Sequence, residues 1–145
     1  SVARARVVSF LLDTNVLSEW QKERPNAGVV QWLHEVDEDR VYLSVVTLAE
    51  LRFGVQRLAG GRRRQRLEAW LTDDLPARFE ARLLAVDASI ADDWGRLMAD
   101  RAAKGRPVGA MDGLLGATAR VHSLTVVTRN KAHFAPDVTV HNPWT

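Results

Sequence analysis

Short apolar runs alternate with longer segments of helical periodicity along this 145-residue chain, and that alternation constrains the fold more than any other feature. The runs are rich in β-branched and aliphatic residues, which is typical of buried strands. Strands are therefore predicted at residues 7–12, 40–44, 82–87 and 124–128, with a fifth candidate at 138–142. Strands that alternate with helices form mainly parallel sheets. We predict an α/β fold in a single domain over residues 1–145.

Capping residues and helix breakers predict several helix boundaries. A helix is expected to begin after Asp87, a suitable N-cap, and to end at Gly105, shortly before Pro107. A second helix should begin at Arg62 and run to about residue 74, where Pro76 interrupts it.

Polar side chains follow the first and fourth predicted strands. Asp13 comes directly after the first strand and precedes Thr14 and Asn15, while Thr128 and Asn130 follow the fourth. In parallel α/β sheets, ligands bind outside the carboxyl ends of the strands, near the point where strand order reverses. We therefore expect these side chains to line a cleft, although capping and turn formation would account for each of them singly.

Glu50 has two interpretations, which depend on where its helix begins. If Thr47 is the N-cap, the spacing Thr47-x-x-Glu50 matches a capping box, and Glu50 serves only the helix start. If the helix begins after Ser44 instead, Glu50 lies in the second turn, beyond the reach of a capping box. Its apolar flanks then place a carboxylate on a partly buried surface.

Asp112 stands among small and apolar residues, in the segment GAMDGLLGATA. A position in the first turn of a helix would favour an exposed acid, but it does not explain these neighbours. Each glycine inside a helix costs about 1 kcal/mol relative to alanine. We therefore expect the small residues to leave room for a ligand or another chain; they are Gly109, Ala110, Gly113 and Gly116.

If Asp13, Glu50 and Asp112 meet at one site, their carboxylates repel one another unless a cation neutralises them. The chain has no cysteine, which excludes thiolate nucleophiles and zinc-thiolate sites. Its four histidines show no metal-ligand spacing; they are His34, His122, His133 and His141. Oxygen-only ligation fits Mg²⁺ or Mn²⁺, and this pattern suits hydrolysis of a phosphodiester by a metal-activated water.

Positive charge is concentrated in one segment, although the net charge is only +2. The segment RRRQR, residues 62–66, follows Arg57 and is either a solvated helix end or a contact for phosphates or an acidic partner. No apolar run approaches the roughly 18 residues of a membrane span. The apolar run after the basic N-terminus meets Asp13 rather than a cleavage site, so we expect no signal peptide and a cytoplasmic location.

Four segments resemble, in order and spacing, the characteristic blocks of PIN-domain ribonucleases: FLLDTNVLSEW, SVVTLAELRFGV, PVGAMDGLLGATAR and LTVVTRNKAHF. The similarity is greatest to the VapC-type toxins of bacterial toxin–antitoxin pairs, and the ending HNPW resembles the FitB-like subgroup. The resemblance extends from about residue 8 to residue 144. It implies an α/β/α sandwich and a Mg²⁺- or Mn²⁺-dependent endoribonuclease that acts on structured RNA such as tRNA.

The same resemblance implies roles for particular residues. The acidic cluster of the family maps to Asp13, Glu50 and Asp112, and its fourth position, often an aspartate, is Asn130 here. Because asparagine carries no charge, a second tightly held metal ion is less favoured. Asn15 and Thr128 match supporting polar positions. Apart from the resemblance, we expect arginines at the rim to attract the RNA backbone; the candidates are Arg52, Arg129 and the 62–66 segment.

The family resemblance also implies partners. Such toxins form dimers and are inhibited by a small antitoxin whose tail covers the groove, and they reach DNA only through that antitoxin. Two other functions stay open at this point. A PIN-like module without catalysis would act by binding a partner, and a metal-binding titration separates it from a nuclease. A haloacid-dehalogenase-type phosphatase needs D-x-D after the first strand, where this chain has Asp13-Thr14-Asn15.

Overall fold

A computed structural model describes residues 7–145 and contains one sheet of five parallel strands in the order β3-β2-β1-β4-β5. The strands are β1 (Phe10–Leu12), β2 (Val41–Ser44), β3 (Leu83–Leu84), β4 (Thr125–Val127) and β5 (Val140–His141). The predicted parallel α/β fold is confirmed, and all five strands are shorter than their apolar runs. The expectation that the chain has no signal peptide concerns in part the basic N-terminal residues 1–6, which lie outside the described residues.

The described residues contain seven α-helices, which connect the strands: α1 (Thr14–Trp20), α2 (Ala27–Glu35), α3 (Val45–Gln56), α4 (Arg62–Ala69), α5 (Leu75–Phe79), α6 (Ala88–Ala103) and α7 (Ala110–His122). Short 3-10 turns cover Glu38–Arg40, Glu80–Arg82 and Lys131–His133. Within residues 7–145, no helix is long and apolar enough to cross a membrane.

The interruption predicted at Pro76 takes the form of a π-helical turn, not a break. This turn, Trp70–Asp74, joins α4 directly to α5, and the Leu75 N–H donates to the carbonyl of Trp70, five residues earlier. Pro76 then lies in the first turn of α5, and because it has no N–H, the helix lacks one backbone hydrogen bond just after the π-helical turn. The chain therefore stays helical from Arg62 to Phe79.

Helices cover both faces of the sheet because side chains of a strand alternate between the two faces. In β1, Leu12 belongs to a core that contains Val16 and Leu17 of α1 and residues of α2 to α5. Its neighbour Leu11 belongs to a second core, which contains Leu115 and Ala119 of α7. The predicted α/β/α layering follows from this alternation.

The small residues of α7 accommodate α6. A Cβ atom on Gly113 would lie 2.5 Å from Met98 Sδ and 3.0 Å from Trp94 Nε1, and one on Gly116 would lie 3.2 Å from Leu97 Cδ2. The room that we expected these two glycines to leave for a ligand or another chain is therefore filled by a helix of the same chain. Gly109 differs, since nothing lies within 4 Å of its Cβ position.

Trp94 fixes the beginning of α7, because its indole N–H donates to the carbonyl of Ala110 at 3.1 Å. We expect Trp94→Phe to lower the free energy of unfolding by about 1 kcal/mol, the typical net contribution of one such hydrogen bond. Denaturant titration measures this change. Trp70→Phe is the matched control, since no hydrogen bond of the Trp70 side chain is found within residues 7–145. Equal losses in the two variants would contradict the assigned role of the hydrogen bond.

Candidate active site

The sheet reverses its strand order at β1, since β2 and β3 lie on one side of it and β4 and β5 on the other. Asp13 directly follows β1, and its N–H donates to the carbonyl of Val127 at the end of β4, at 3.0 Å. This hydrogen bond holds the carboxyl ends of the two central strands together. Thr128 therefore lies next to Asp13, as the strand-end argument predicted.

The Asp13 carboxylate is 4% exposed and is held by donors on several sides. Its Oδ1 accepts from the Thr14 N–H at 2.7 Å, so Asp13 also serves as the N-cap of α1. Its Oδ2 accepts from the Thr128 hydroxyl at 2.7 Å and from the Asn15 amide at 3.4 Å. The Thr128 Oγ1 in turn accepts from the backbone N–H of Asn130 at 2.9 Å. These contacts fix the direction of the carboxylate.

Glu50 does not take part in a capping box. The N-cap of α3 is Ser44, whose Oγ accepts from the Val46 N–H at 3.0 Å, so Glu50 lies in the second helical turn. There its Oε1 accepts from the Thr14 hydroxyl at 2.8 Å. Thr14 thus connects the two acids, since its N–H binds Asp13 and its hydroxyl binds Glu50.

Asp112 is the third residue of α7, and a first-turn carboxylate is favoured by the helix dipole. Its Oδ2 lies 2.7 Å from Nδ1 of His133. An ionised carboxylate only accepts hydrogen bonds, so the histidine Nδ1–H is the donor. Sequence reasoning missed His133 because no spacing between histidines indicates it; its 3-10 turn brings it to Asp112 from 21 residues away.

The three acids form one electrostatic cluster. Burial is the main cause that raises the pKa of Asp13, and the negative charge of Asp112 raises it further, while hydrogen bonds from Thr128 and Thr14 oppose the change. Burial also raises the pKa of Glu50, and the charges of Asp13 and Asp112 add to that effect. Asp13 and Glu50 are therefore hard to ionise in this cluster, as the sequence predicted for clustered carboxylates without a cation.

The donor chemistry of this cluster fits a small divalent cation. Within residues 7–145, no three acidic or histidine side chains lie close enough together to form a complete metal-binding group. However, the buried Oδ1 of Asn15 has no hydrogen-bond partner in the described part of the chain, so an unused oxygen lies beside the Asp13 carboxylate. Mg²⁺ binds few carboxylates and completes its shell with water and phosphate oxygens. The residues present therefore fit such an ion if water and substrate supply the other ligands.

The acids open into a cleft of about 460 Å³. Its lining includes the predicted residues Asp13, Asn15, Glu50, Asp112, Arg129 and Asn130, together with Thr14, Ser18, Glu19, Lys22 and Trp144. The guanidinium of Arg129 lies 5.6 Å from the centre of the Trp144 ring, a cation–π distance. Arg52 is not part of the cleft lining; its Nη2 donates to the Thr72 hydroxyl at 2.8 Å.

Sequence reasoning missed three cleft residues on or just after α1: Ser18 and Glu19 lie on the helix, and Lys22 lies two residues beyond its end. Ser18, Glu19 and Lys22 lie three to four residues apart from one another or from Asn15, so helical spacing could have indicated them. Glu19 is buried, and a hydrogen bond from Lys22 Nζ at 2.8 Å is the main cause that lowers its pKa. Residue spacing did not indicate Trp144, because this residue comes to the cleft through the fold of the C-terminal segment and not through helical periodicity.

The comparison with known families decides the assignment, because residues 10–137 match the model of the PIN domain. The chain belongs to the PIN-domain family. It is 42% identical over 136 residues to the toxin FitB of Neisseria gonorrhoeae, covering 93% of this chain and 98% of that protein. It is 35% identical to the VapC ribonuclease Y4jK of Sinorhizobium fredii, covering 93% and 97%.

Solved structures agree with this assignment. The PIN-domain chain superposes on the crystal structure of FitAcB from Neisseria gonorrhoeae with a TM-score of 0.87 at 41% identity, covering 93% of this chain and 98% of that one. Other structures similar to it are toxin–antitoxin complexes, and one of these, VapBC from Salmonella typhimurium, is bound to DNA. The resemblance to FitB- and VapC-type toxins is confirmed, and the phosphatase alternative is wrong.

Proposed function

We propose that this PIN-domain protein is the toxin of a type II toxin–antitoxin pair and acts as a metal-dependent endoribonuclease. The observation that carries the proposal is the meeting of Asp13, Glu50 and Asp112 at the strand-order reversal, in a chain 35% identical to a ribonuclease. A module that only binds partners would gain nothing from a cluster of carboxylates in which the pKa values of Asp13 and Glu50 are raised.

Asp13, Glu50 and Asp112 would hold Mg²⁺ or Mn²⁺, with the Asn15 and Asn130 amides as further oxygen donors near them. Such an ion, when bound, offsets the charge of the acids and polarises the scissile phosphate. The protein itself directs the acids, through Thr128 on Asp13, Thr14 on Glu50 and His133 on Asp112. Arg129 lines the same cleft and offers a guanidinium to a phosphate oxygen.

The proposed partners follow from the relatives. A cognate antitoxin would cover the cleft, and DNA would be reached only through that antitoxin, in a dimer or a larger toxin–antitoxin assembly. The substrate would be a structured RNA such as tRNA, cleaved in the cytoplasm. The antitoxin and the RNA would therefore compete for the same cleft.

Cleavage of total RNA by the purified protein tests the proposal. We expect cleavage with added Mg²⁺ or Mn²⁺, no cleavage in EDTA, and recovery when either ion is restored in excess. Products should carry the termini of phosphodiester hydrolysis. Cleavage that persists at full rate after exhaustive chelation would contradict metal dependence, and no cleavage with any divalent ion would contradict the nuclease assignment.

Thr128 lowers the pKa of Asp13 by hydrogen bonding to its ionised form, so removing the hydroxyl should raise that pKa further. We expect Thr128→Val to move the acidic limb of the profile of kcat/KM against pH to higher pH, because ionised Asp13 then appears only at higher pH. Activity should recover as the pH is raised. Thr128→Ser keeps the hydroxyl and should retain the original profile; an equal displacement in both variants would contradict this role.

A further inference from the structure

A second groove lies beside the acidic cleft, between the end of α1 and the beginning of α4. It has a volume of about 640 Å³ and is lined by Gln21, Lys22, Glu23, Arg62, Arg63 and Arg66. Four of these six side chains are cationic and one is anionic. We call it the basic groove; it contains most of the arginine-rich segment whose role the sequence left open.

The arginines of the basic groove lack acidic partners. Within residues 7–145, no carboxylate forms an ion pair with Arg62, Arg63 or Arg66, whereas Arg64 of the same helix pairs with Glu68 at 2.8 Å. Arg62 and Arg66 are four residues apart, and like charges at this spacing destabilise a helix. A bound anion would relieve this repulsion.

The beginning of α4 also favours an anion. Its N-cap is Gly61, which supplies no side-chain acceptor for the first N–H groups of the helix. These N–H groups and the helix dipole add positive potential to that of the arginine side chains. If the beginning of α4 were only solvated, it would not need three arginines that form no ion pair within residues 7–145.

The basic groove is continuous with the acidic cleft. Lys22 lines both of them, and a smaller cavity of about 230 Å³ joins them further along, with Thr14, Glu50, Gln21 and Arg63 in its lining. The seven residues of α1 span about 10 Å along the helix axis. This distance is short enough for one nucleic-acid strand to contact both surfaces.

We infer that the basic groove binds the sugar–phosphate backbone of the RNA strand next to the bond that is cleaved, an inference that rests on the proposed nuclease function. A cleft with three carboxylates repels a polyanion, so a neighbouring cationic surface is needed to hold the strand. Arginine suits this role because its guanidinium donates two parallel hydrogen bonds to a phosphate.

Binding of a labelled single-stranded RNA oligonucleotide in EDTA tests the inference without cleavage. The variant is Arg62→Gln/Arg63→Gln/Arg66→Gln. We expect its Kd at low salt to be weakened at least about tenfold and the slope of log K against log salt to shrink by about 2, since each lost phosphate contact on a single strand removes about 0.7. Because all three side chains are exposed, the fold should persist, which circular dichroism checks.

Two further variants control for charge and for residue type. Arg96→Gln/Lys104→Gln/Arg106→Gln removes the same number of cations from α6 and the loop after it, and it should change the slope little. Arg62→Lys/Arg63→Lys/Arg66→Lys keeps the charge and should keep most of the slope while binding more weakly. Equal effects of the two Gln variants would overturn the inference, because only net charge would then matter.

Parallel cleavage assays separate this inference from the proposed function. If the wild-type protein cleaves RNA with Mg²⁺ and the triple Gln variant binds RNA like the wild type, the inference is wrong and the nuclease function stands. Retained RNA binding with lost inhibition by the antitoxin would assign the groove to the protein partner and also overturn the inference. A wild-type protein that neither binds nor cleaves RNA would contradict both.

Discussion

Asp13→Asn is expected to reduce RNA cleavage by about a thousandfold or more while the protein stays folded. The substitution keeps the shape of the side chain and removes its charge. Stabilisation of developing charge by a bound cation contributes several kcal/mol, and each 1.4 kcal/mol is a factor of ten in rate. An asparagine cannot supply the charge that holds the cation beside Glu50 and Asp112.

The stability of this variant should change in the opposite direction to its activity. Burial raises the pKa of Asp13 above its ordinary value of 3.8, so the folded protein retains this proton at a pH where the unfolded chain has lost it. The contribution of Asp13 to stability therefore falls as the pH rises through the interval between the two values. In EDTA at neutral pH, Asp13→Asn should be at least as stable as the wild type.

Asp73→Asn is the matched control, because Asp73 is exposed in the π-helical turn and does not line the cleft. Single-turnover cleavage assays and thermal unfolding in EDTA measure the two effects. Wild-type cleavage by a well-folded Asp13→Asn protein would remove the basis of the active-site assignment. A large loss of stability would instead contradict the electrostatic description of Asp13.

Asp112→Asn is expected to cause a loss of cleavage of similar size, and the double variant with Asp13→Asn should be little worse than either single one. Residues that hold one cation act as a unit, and the effects of such residues on catalysis are far from additive. Two independent losses of a thousandfold would multiply to about a millionfold. The near-equality of the single and double variants is therefore the informative result.

His133→Asn provides the comparison for the Asp112 variant. It removes the group 2.7 Å from Asp112 Oδ2 but leaves the three carboxylates in place, so we expect a smaller loss than for Asp112→Asn. Binding of Mn²⁺, followed by its electron paramagnetic resonance signal, gives a second measurement that does not depend on cleavage. Multiplicative losses in the double variant would indicate that Asp13 and Asp112 act at separate sites.

The sequence predicted the sheet because the information needed is local: short apolar runs of five or six residues, with capping residues and breakers between them, are typical of a parallel α/β protein. It also predicted that Asp13 and Thr128 would meet, because both follow strands and parallel strands end at one edge. The choice of Ser44 over Thr47 as N-cap could not be made locally, since both residues are suitable caps. The three-dimensional packing of α3 decides it, and with it the role of Glu50.

The surroundings of Asp112 show where local information ends. The sequence indicated that the glycines of α7 make space, but only the fold shows that Trp94, Leu97 and Met98 of α6 fill it. The pairing of His133 with Asp112 depends in the same way on how the segment after β4 returns towards α7. Periodicity within one helix carries no information about such contacts.

The hydrogen bond from the Asp13 N–H to Val127 has a further consequence for motion. It makes the amide of this acid part of the hydrogen bonding of the central strands, whose side chains are packed on both faces of the sheet. Amides of this kind exchange with solvent only when the whole domain unfolds, whereas exposed segments exchange through small local openings. The amide of Asp13 should thus be among the slowest to exchange in deuterated solvent. The cleft would then combine an acid whose backbone opens only on the slowest timescale of the molecule with the exposed side chain of Arg129, which reorients within nanoseconds.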